Sequence, residues 1–438
     1  MEKVNLVDTI LLGIGGSIGG GIFILNGIVV NKVKKFSPLV WLFGGLICMT
    51  IAFSYIILSL EYKSDEGTLE YPKKLFDSEL KKNIIDILII IGYITLVAVY
   101  ATSMSEYVSR YFSKEHLVKY IAIIIILICQ IINYFPFNTY IKIADFTILT
   151  KIIIFIGIII LGLLIPYKNN KNIKNIKNIN NIKNINNINN NNKLKIINVI
   201  PNLIFLSFAI FHSYEGFELI SNVSNKLEDP NKNLPLGFII SVLSICIIYM
   251  GISYVTNKHI GNEITEKNKF STIIDLTKKL GFVKNGPLIV IILCILSNFT
   301  AINSTIFSNK EIYDSYLDGR KERIFKILNK DFNIPFFSES RKYVIWLSSL
   351  LSCILVFLPI FTINNLSSMI FLIIFLIISY LGLKLVLIKQ KNNKEIIILG
   401  KKIPYFAAKS ITTFGILSCL TGTIILFYEC TKEILKKK

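Results

Sequence analysis

Histidine is nearly absent from this chain and cysteine is never clustered. The three histidines, His116, His212 and His259, are too scattered to match any metal-ligand spacing, so no metal is expected. Seven cysteines (Cys48, Cys129, Cys246, Cys294, Cys353, Cys419 and Cys430) lie singly, nearly all within apolar stretches. They read as small packing residues and exclude a disulfide or zinc framework. No His, Cys or Asp constellation with catalytic spacing is visible, which argues against an intramembrane enzyme and leaves no cofactor to expect. Acidic residues are scarce: 28 Asp and Glu against 48 Lys and Arg give a formal charge of +20. Yet no basic stretch is interleaved with stacking aromatics, so nucleic-acid binding has no support. The lysines accompany a great excess of isoleucine and asparagine, a bias that an AT-rich coding sequence produces without any anionic partner. Residues 1–8 lead straight into an apolar run with no small-residue cleavage pattern, and read as the approach to an uncleaved first span.

Also missing is any polar segment long enough for a soluble domain of useful size. Hydrophobic residues make up 53% of the 438 positions, the composition of a multi-pass protein of the cell membrane with the lipid bilayer as its solvent. Eleven apolar runs of about 20 residues recur, at about 7–30, 38–60, 85–109, 118–135, 141–166, 201–224, 235–257, 285–308, 343–361, 364–389 and 405–428. Between the fifth and sixth lies an irregular repetition of Asn-Ile-Lys and Asn-Ile-Asn at 169–192, with no aromatic residue and no stable periodicity. Such a segment defaults to disorder. The chain therefore divides into 1–166 with five spans, a low-complexity linker at 167–200, 201–390 with five more, and 391–438 with a loop, an eleventh span and a basic tail. A short amphipathic helix is expected at 271–280, a cytoplasmic loop at 309–342 where Lys and Arg concentrate, and a tight turn at 362–365 between spans nine and ten.

Three places break the apolar pattern. Residues 13–23 carry six glycines in the middle of the first span. Each glycine costs a helix about 1 kcal/mol relative to alanine, and three in succession at Gly19, Gly20 and Gly21 predict an unwound backbone. In hydrocarbon such backbone is tolerated only beside protein or a watery cavity. The second place is Lys151, about ten residues and so roughly 15 Å into the fifth span, near the midplane of a ~30 Å core. A central lysine costs at least ~2.5 kcal/mol to insert and faces the bundle interior with a functional partner. The third is Phe211-His212-Ser213-Tyr214-Glu215-Gly216-Phe217-Glu218 in the sixth span, where two acids and a glycine predict a second break. In the eighth span a polar line, Ser297, Asn298, Thr300, Asn303, Ser304 and Thr305, serves either the same site or helix-to-helix adhesion.

Interrupted spans opening two five-span halves form the pattern of an inverted-repeat transporter with a midplane site. Gly16-Ser17-Ile18-Gly19-Gly20-Gly21-Ile22-Phe23 resembles the first-helix signature of the amino acid-polyamine-organocation transporters, typically Gly, two residues, Gly-Ser-Gly-Ile-Phe. Residues 214–235 resemble that family's sixth-helix signature, an aromatic, a variable residue, Gly-Phe-Glu, then an acidic Asn-Pro-Lys-Asn-Ile-Pro-like stretch. Residues 61–76 and Asp318-Gly319 resemble its loop motifs, and the likeness extends over roughly 5–390. Three features depart from the pattern: Gly20 replaces the motif serine, Asn225 stands where many members carry glutamate, and one span instead of two follows the tenth.

The resemblance implies an all-α membrane protein with the five-plus-five fold of the leucine transporters, helices 1 and 6 broken, plus one further C-terminal span. It implies backbone amides of Gly19, Gly20 and Gly21 for a substrate carboxylate, and the stretch Phe211, His212, Ser213 and Tyr214 for its amino group, beside Glu215 and Gly216. A helix N-terminus suits such an anion. Glu218 matches the family motif and is expected to gate or brace the sixth helix. In proton-coupled members of bacteria and archaea a fifth-helix lysine sits between first-helix carbonyls and eighth-helix hydroxyls; the matching residues are Lys151, Gly15 and Thr300. The activity implied is secondary active transport of amino acids, with proton symport by alternating access. An exchanger of amino acids or polyamines and a non-transporting amino acid sensor are the rival readings, and oligomeric state is left open. Glu215 stands where carriers of neutral amino acids hold a small or apolar residue. A carboxylate there either pairs with a cationic substrate, is protonated, or is hydrogen-bonded to His212 or Tyr214.

Overall fold

The computed structural model describes residues 3–64, 66–133, 138–166, 199–318 and 340–436. The linker at 167–200 lies outside the described residues except at its last two positions, as does 319–339 of the basic loop.

Helices account for almost all of the described chain. The first apolar run holds α1 (Leu6–Ser17) and α2 (Gly20–Val33), and a 3-10 turn at Lys34–Phe36 leads into α3 (Ser37–Glu61). After the short α4 (Glu70–Leu75) come α5 (Glu79–Tyr111), α6 (Val118–Ile132) and α7 (Asn138–Leu164). The sixth run holds α8 (Val199–Ala209) and two 3-10 segments, Phe211–Tyr214 and Phe217–Val223. Then follow α9 (Pro230–Ile260), α10 (Thr272–Lys279), α11 (Asn285–Asp318), α12 (Ser340–Leu355), α13 (Ile360–Lys391) and α14 (Tyr405–Lys436). Among the described residues eight stretches are long and apolar enough to cross a membrane, and Leu6–Ser17, Val199–Ala209 and Trp346–Leu355 are shorter apolar helices.

Local chemistry sets several of these boundaries. Asn5 caps α1, its Oδ1 accepting the Asp8 N–H at 3.0 Å. Pro38 and Pro230 open α3 and α9 in the first helical turn, where a missing N–H costs nothing. α1 packs on α9 and α11, α3 on α9 and α13, and α5 on α11 and α13. α6 and α14 lie outermost: Ile124, Ile128 and Ile131 form an exposed apolar stripe on the first, Leu417, Ile424 and Phe427 on the second.

One sequence expectation needs correction. Residues 362–365 are not a turn: they lie within α13, which starts one residue after Pro359. The connection is the stretch between Leu355 and Ile360, because proline cannot continue the preceding helix. Asn364 and Asn365 are buried, and Asn364 Nδ2 donates to the Ala209 carbonyl across 2.9 Å, tying α13 to α8. The described chain is that of an all-α membrane protein with one short hairpin added. β1 (Ile396–Ile398) and β2 (Lys401–Ile403) form an antiparallel hairpin whose turn, Leu399-Gly400, has positive φ at both residues.

The end of α7 is held from outside its own helix. Lys258 Nζ lies 3.0 Å from the Gly162 and Leu163 carbonyls and 3.1 Å from that of Ile165, groups a helix terminus leaves without partners. Lys258→Met is expected to destabilise the protein by about 1–3 kcal/mol, seen as a lower Tm in detergent; an unchanged Tm would show that water replaces the ammonium without loss.

Candidate functional site

Backbone geometry creates the centre of the bundle. α1 ends at Ser17, Gly19 N–H turns back to the Ser17 carbonyl at 2.9 Å, and α2 begins at Gly20 with no side-chain cap. The first-turn N–H groups of α2 have no acceptor within their own helix. They point with the positive end of the helix dipole toward the gap between α1 and α2.

The other wall is the sixth run. Gly216, at φ +113°, sits directly on α1: a Cβ there would fall 2.1 Å from Gly16 C and 2.4 Å from Ser17 N. Its N–H donates to Glu218 Oε2 at 2.7 Å, so Glu218 braces this bend from within. Ser17 Oγ lies 3.0 Å from the Gly13 carbonyl and 3.1 Å from that of Tyr214. Gly21 is so close to Ser213 that a Cβ would meet its Oγ at 2.0 Å, while one on Gly20 would meet Asn298 Oδ1 at 2.7 Å and one on Gly19 would meet Tyr100 Cε1 at 2.8 Å. Ser213 Oγ and Asn298 Oδ1 are buried without a partner at these contacts.

Tyr249 ties the two walls together. Its hydroxyl lies 3.1 Å from the Ser17 carbonyl and 2.9 Å from that of Ser213, so one proton is shared between both interruptions. Trp41 supports it edge-on at 4.8 Å between ring centroids and accepts the Tyr214 hydroxyl on its carbonyl at 2.5 Å. Tyr249→Phe is expected to cost about 1–3 kcal/mol by leaving buried carbonyls without their donor. A Tm equal to wild type would show that the link is idle.

Lys151 occupies the middle of α7 and is fully buried. Its Nζ donates to the carbonyls of Gly15 and Ile18, each at 2.8 Å, and among the described residues it makes no ion pair with a carboxylate. Ser297 Oγ donates to the same Ile18 carbonyl at 2.5 Å. Thr300, one turn further along α11, directs its Oγ1 to the carbonyls of Leu296 and Ser297 at 2.9 and 3.0 Å. Lysine, first-helix carbonyls and an eighth-span hydroxyl thus converge, with Ser297 on the Ile18 carbonyl. Ser297, Asn298 and Tyr249 are site residues for which sequence gave at most a polar line along α11.

Phe211 and His212 face α13. The Phe211 ring packs 5.7 Å from Phe375, and His212 Nδ1 lies 3.3 Å from Ser368 Oγ. Neither the His212 imidazole nor the Tyr214 hydroxyl bonds to the Glu215 carboxylate, whose two oxygens are buried without a hydrogen-bond partner among the described residues; Glu215 meets His212 only through its backbone N–H, which donates to the His212 carbonyl at 3.2 Å. Glu215 lines a cavity of about 10 Å³ with Gly16, Tyr93, Tyr100, Gly216 and Glu218. No group of three or more His, Cys, Asp or Glu suited to a metal is found among the described residues.

A multi-pass membrane protein with a polar, glycine-contacted centre is the class these features define. The chain belongs to the amino acid permease family, whose profile matches residues 4–434, within the amino acid-polyamine-organocation transporters. It is 20% identical to the inner membrane transport protein YbaT of Escherichia coli (strain K12), over 75% of this chain and 72% of the relative. An uncharacterised protein of Methanocaldococcus jannaschii is 23% identical over 74% of this chain and 71% of its own length. The aspartate-proton symporter of Bacillus subtilis (strain 168) is 25% identical over 80% and 66%.

Proposed function

We propose that the protein is a proton-coupled symporter of amino acids that works by alternating access. In this reading 1–166 and 201–390 are inverted five-helix halves, and the 167–200 linker joins them. The interruptions at 18–19 and around Gly216 are the broken centres of helices 1 and 6. A substrate carboxylate is received by the first N–H groups of α2 at Gly19, Gly20 and Gly21. Its amino group meets backbone carbonyls of 211–214. Opening of the Gly16–Gly216 contact, together with the Tyr249 link, exposes the site to one side of the membrane at a time.

The observation that carries proton coupling is the Lys151 ammonium bound to the carbonyls of Gly15 and Ile18. A buried amine with no ion-pair partner is the kind of group that exchanges its proton when water reaches it. Losing the proton weakens its grip on the end of α1, which joins protonation to the geometry of the substrate site. The name of the Bacillus subtilis relative, a proton symporter, is in keeping with this.

The test is uptake of a labelled amino acid mixture into proteoliposomes that hold no internal amino acid. An inward proton gradient should drive accumulation, and a protonophore should abolish it. Uptake only into preloaded vesicles would replace symport by exchange, and binding without uptake under any gradient would leave a sensor.

A further inference from the structure

Glu215 is the group at the site that the proposed coupling does not use. It is 1% exposed, and among the described residues neither carboxylate oxygen has a hydrogen-bond partner. Glu218, three residues on, has its Oε2 engaged by the Gly216 N–H at 2.7 Å, whereas the Glu215 carboxylate is committed to nothing. The small cavity they share is lined by these two acids, by Tyr93 and Tyr100 from α5, and, among the described residues, by no lysine or arginine. It abuts both interruptions, through Gly16 on one side and Gly216 on the other. At about 10 Å³ it has room for about one water, so it must widen to admit a side chain.

We infer that Glu215 is the specificity-determining residue of the transport site, and that the substrate is an amino acid with a cationic side chain, an ammonium or a guanidinium. The inference rests on the reading of the protein as an amino acid transporter and names its substrate class. An ionised carboxylate away from water is strongly disfavoured unless a cation pairs with it, and among the described residues no cation lines this cavity. A substrate ammonium supplies that charge, and the tyrosine rings beside it offer electron-rich faces to a cation. An anionic side chain meets two carboxylates in the same small space and is repelled. The cavity chemistry therefore separates this chain from its relative named for aspartate. A simple polyamine fits less well, because it has no carboxylate for the α2 N-terminus.

The test uses the purified full-length protein in proteoliposomes, with labelled lysine, arginine, leucine and aspartate. Wild-type protein should take up lysine or arginine, with each competing against the other and aspartate inert. Glu215→Gln, close to isosteric, should weaken the cationic substrates about 100-fold or more and shift preference toward leucine. Glu215→Asp should keep the cationic preference. Transport of leucine or aspartate by wild type without inhibition by lysine or arginine would overturn the inference while leaving the transporter reading standing. So would unchanged lysine affinity in Glu215→Gln. Failure to transport any amino acid under any gradient would remove both. The wild-type competition panel decides the matter by itself if Glu215→Gln proves unstable.

Discussion

Lys151→Ala is expected to abolish accumulation driven by a proton gradient while leaving amino acid binding measurable. The side chain makes two charge-assisted bonds, to the carbonyls of Gly15 and Ile18, at the point where α1 ends. Each such bond contributes about 1.5–3 kcal/mol, so losing both shifts the balance between arrangements of α1 by a factor of about 100 or more. The α2 N-terminus and the 211–216 backbone are untouched by the substitution, which is why binding should survive. Uptake is measured with and without an imposed pH gradient at fixed membrane potential. A variant that still responds to the gradient as wild type does would refute coupling through Lys151. Ser297→Ala should give a partial version of the same defect, because Ser297 shares the Ile18 carbonyl but carries no charge.

How much of this was legible in the sequence depended on whether a residue's meaning was local. Lys151 stood out because a charge about 15 Å inside an apolar run is costly unless the run is broken by a loop there, and the residue is fully buried at the middle of the continuous helix α7. Asn364 and Asn365 mislead for a related reason: polarity inside an apolar stretch suggests a turn, whereas both lie buried within α13 and Asn364 bonds across to α8. Ser297 and Thr300 lie on one face of α11, three residues apart. Periodicity groups them without saying which reaches the Ile18 carbonyl. Tyr249 carried no signal at all, since an aromatic in an apolar span is ordinary core until its hydroxyl is seen between two carbonyls. The hairpin at 396–403 was too short for strand alternation to register, and only Gly400 hinted at its turn. Glu215 was conspicuous as an acid in an apolar segment, but that no described residue bonds to its carboxylate is a tertiary fact.

Gly216→Ala is the substitution expected to do most damage to the fold itself. Two penalties coincide there. At φ +113° an L-residue is strained by about 1–3 kcal/mol whatever surrounds it. The added methyl also has nowhere to go, since the atoms at 2.1 and 2.4 Å are the Gly16 carbonyl carbon and the Ser17 nitrogen, backbone that no rotamer change can move. Forcing α1 away adds about another 1–3 kcal/mol of overpacking cost and disturbs the Ser17 bond to the Tyr214 carbonyl. The expected result is a marked fall in Tm or in folded yield, with loss of transport. Gly157→Ala is the matched control, because a Cβ there meets nothing within 4 Å and sits within α7, so it should be neutral or slightly stabilising. Gly16→Ala should resemble Gly216→Ala in kind but be milder, its Cβ meeting the Gly216 carbonyl oxygen at 2.8 Å. Once one methyl has separated the two segments, the second adds little, so the double variant should be less damaged than the sum of the singles. Wild-type Tm and transport in Gly216→Ala would mean that the two interruptions do not bear on one another, and the proposed opening of the Gly16–Gly216 contact would lose its basis.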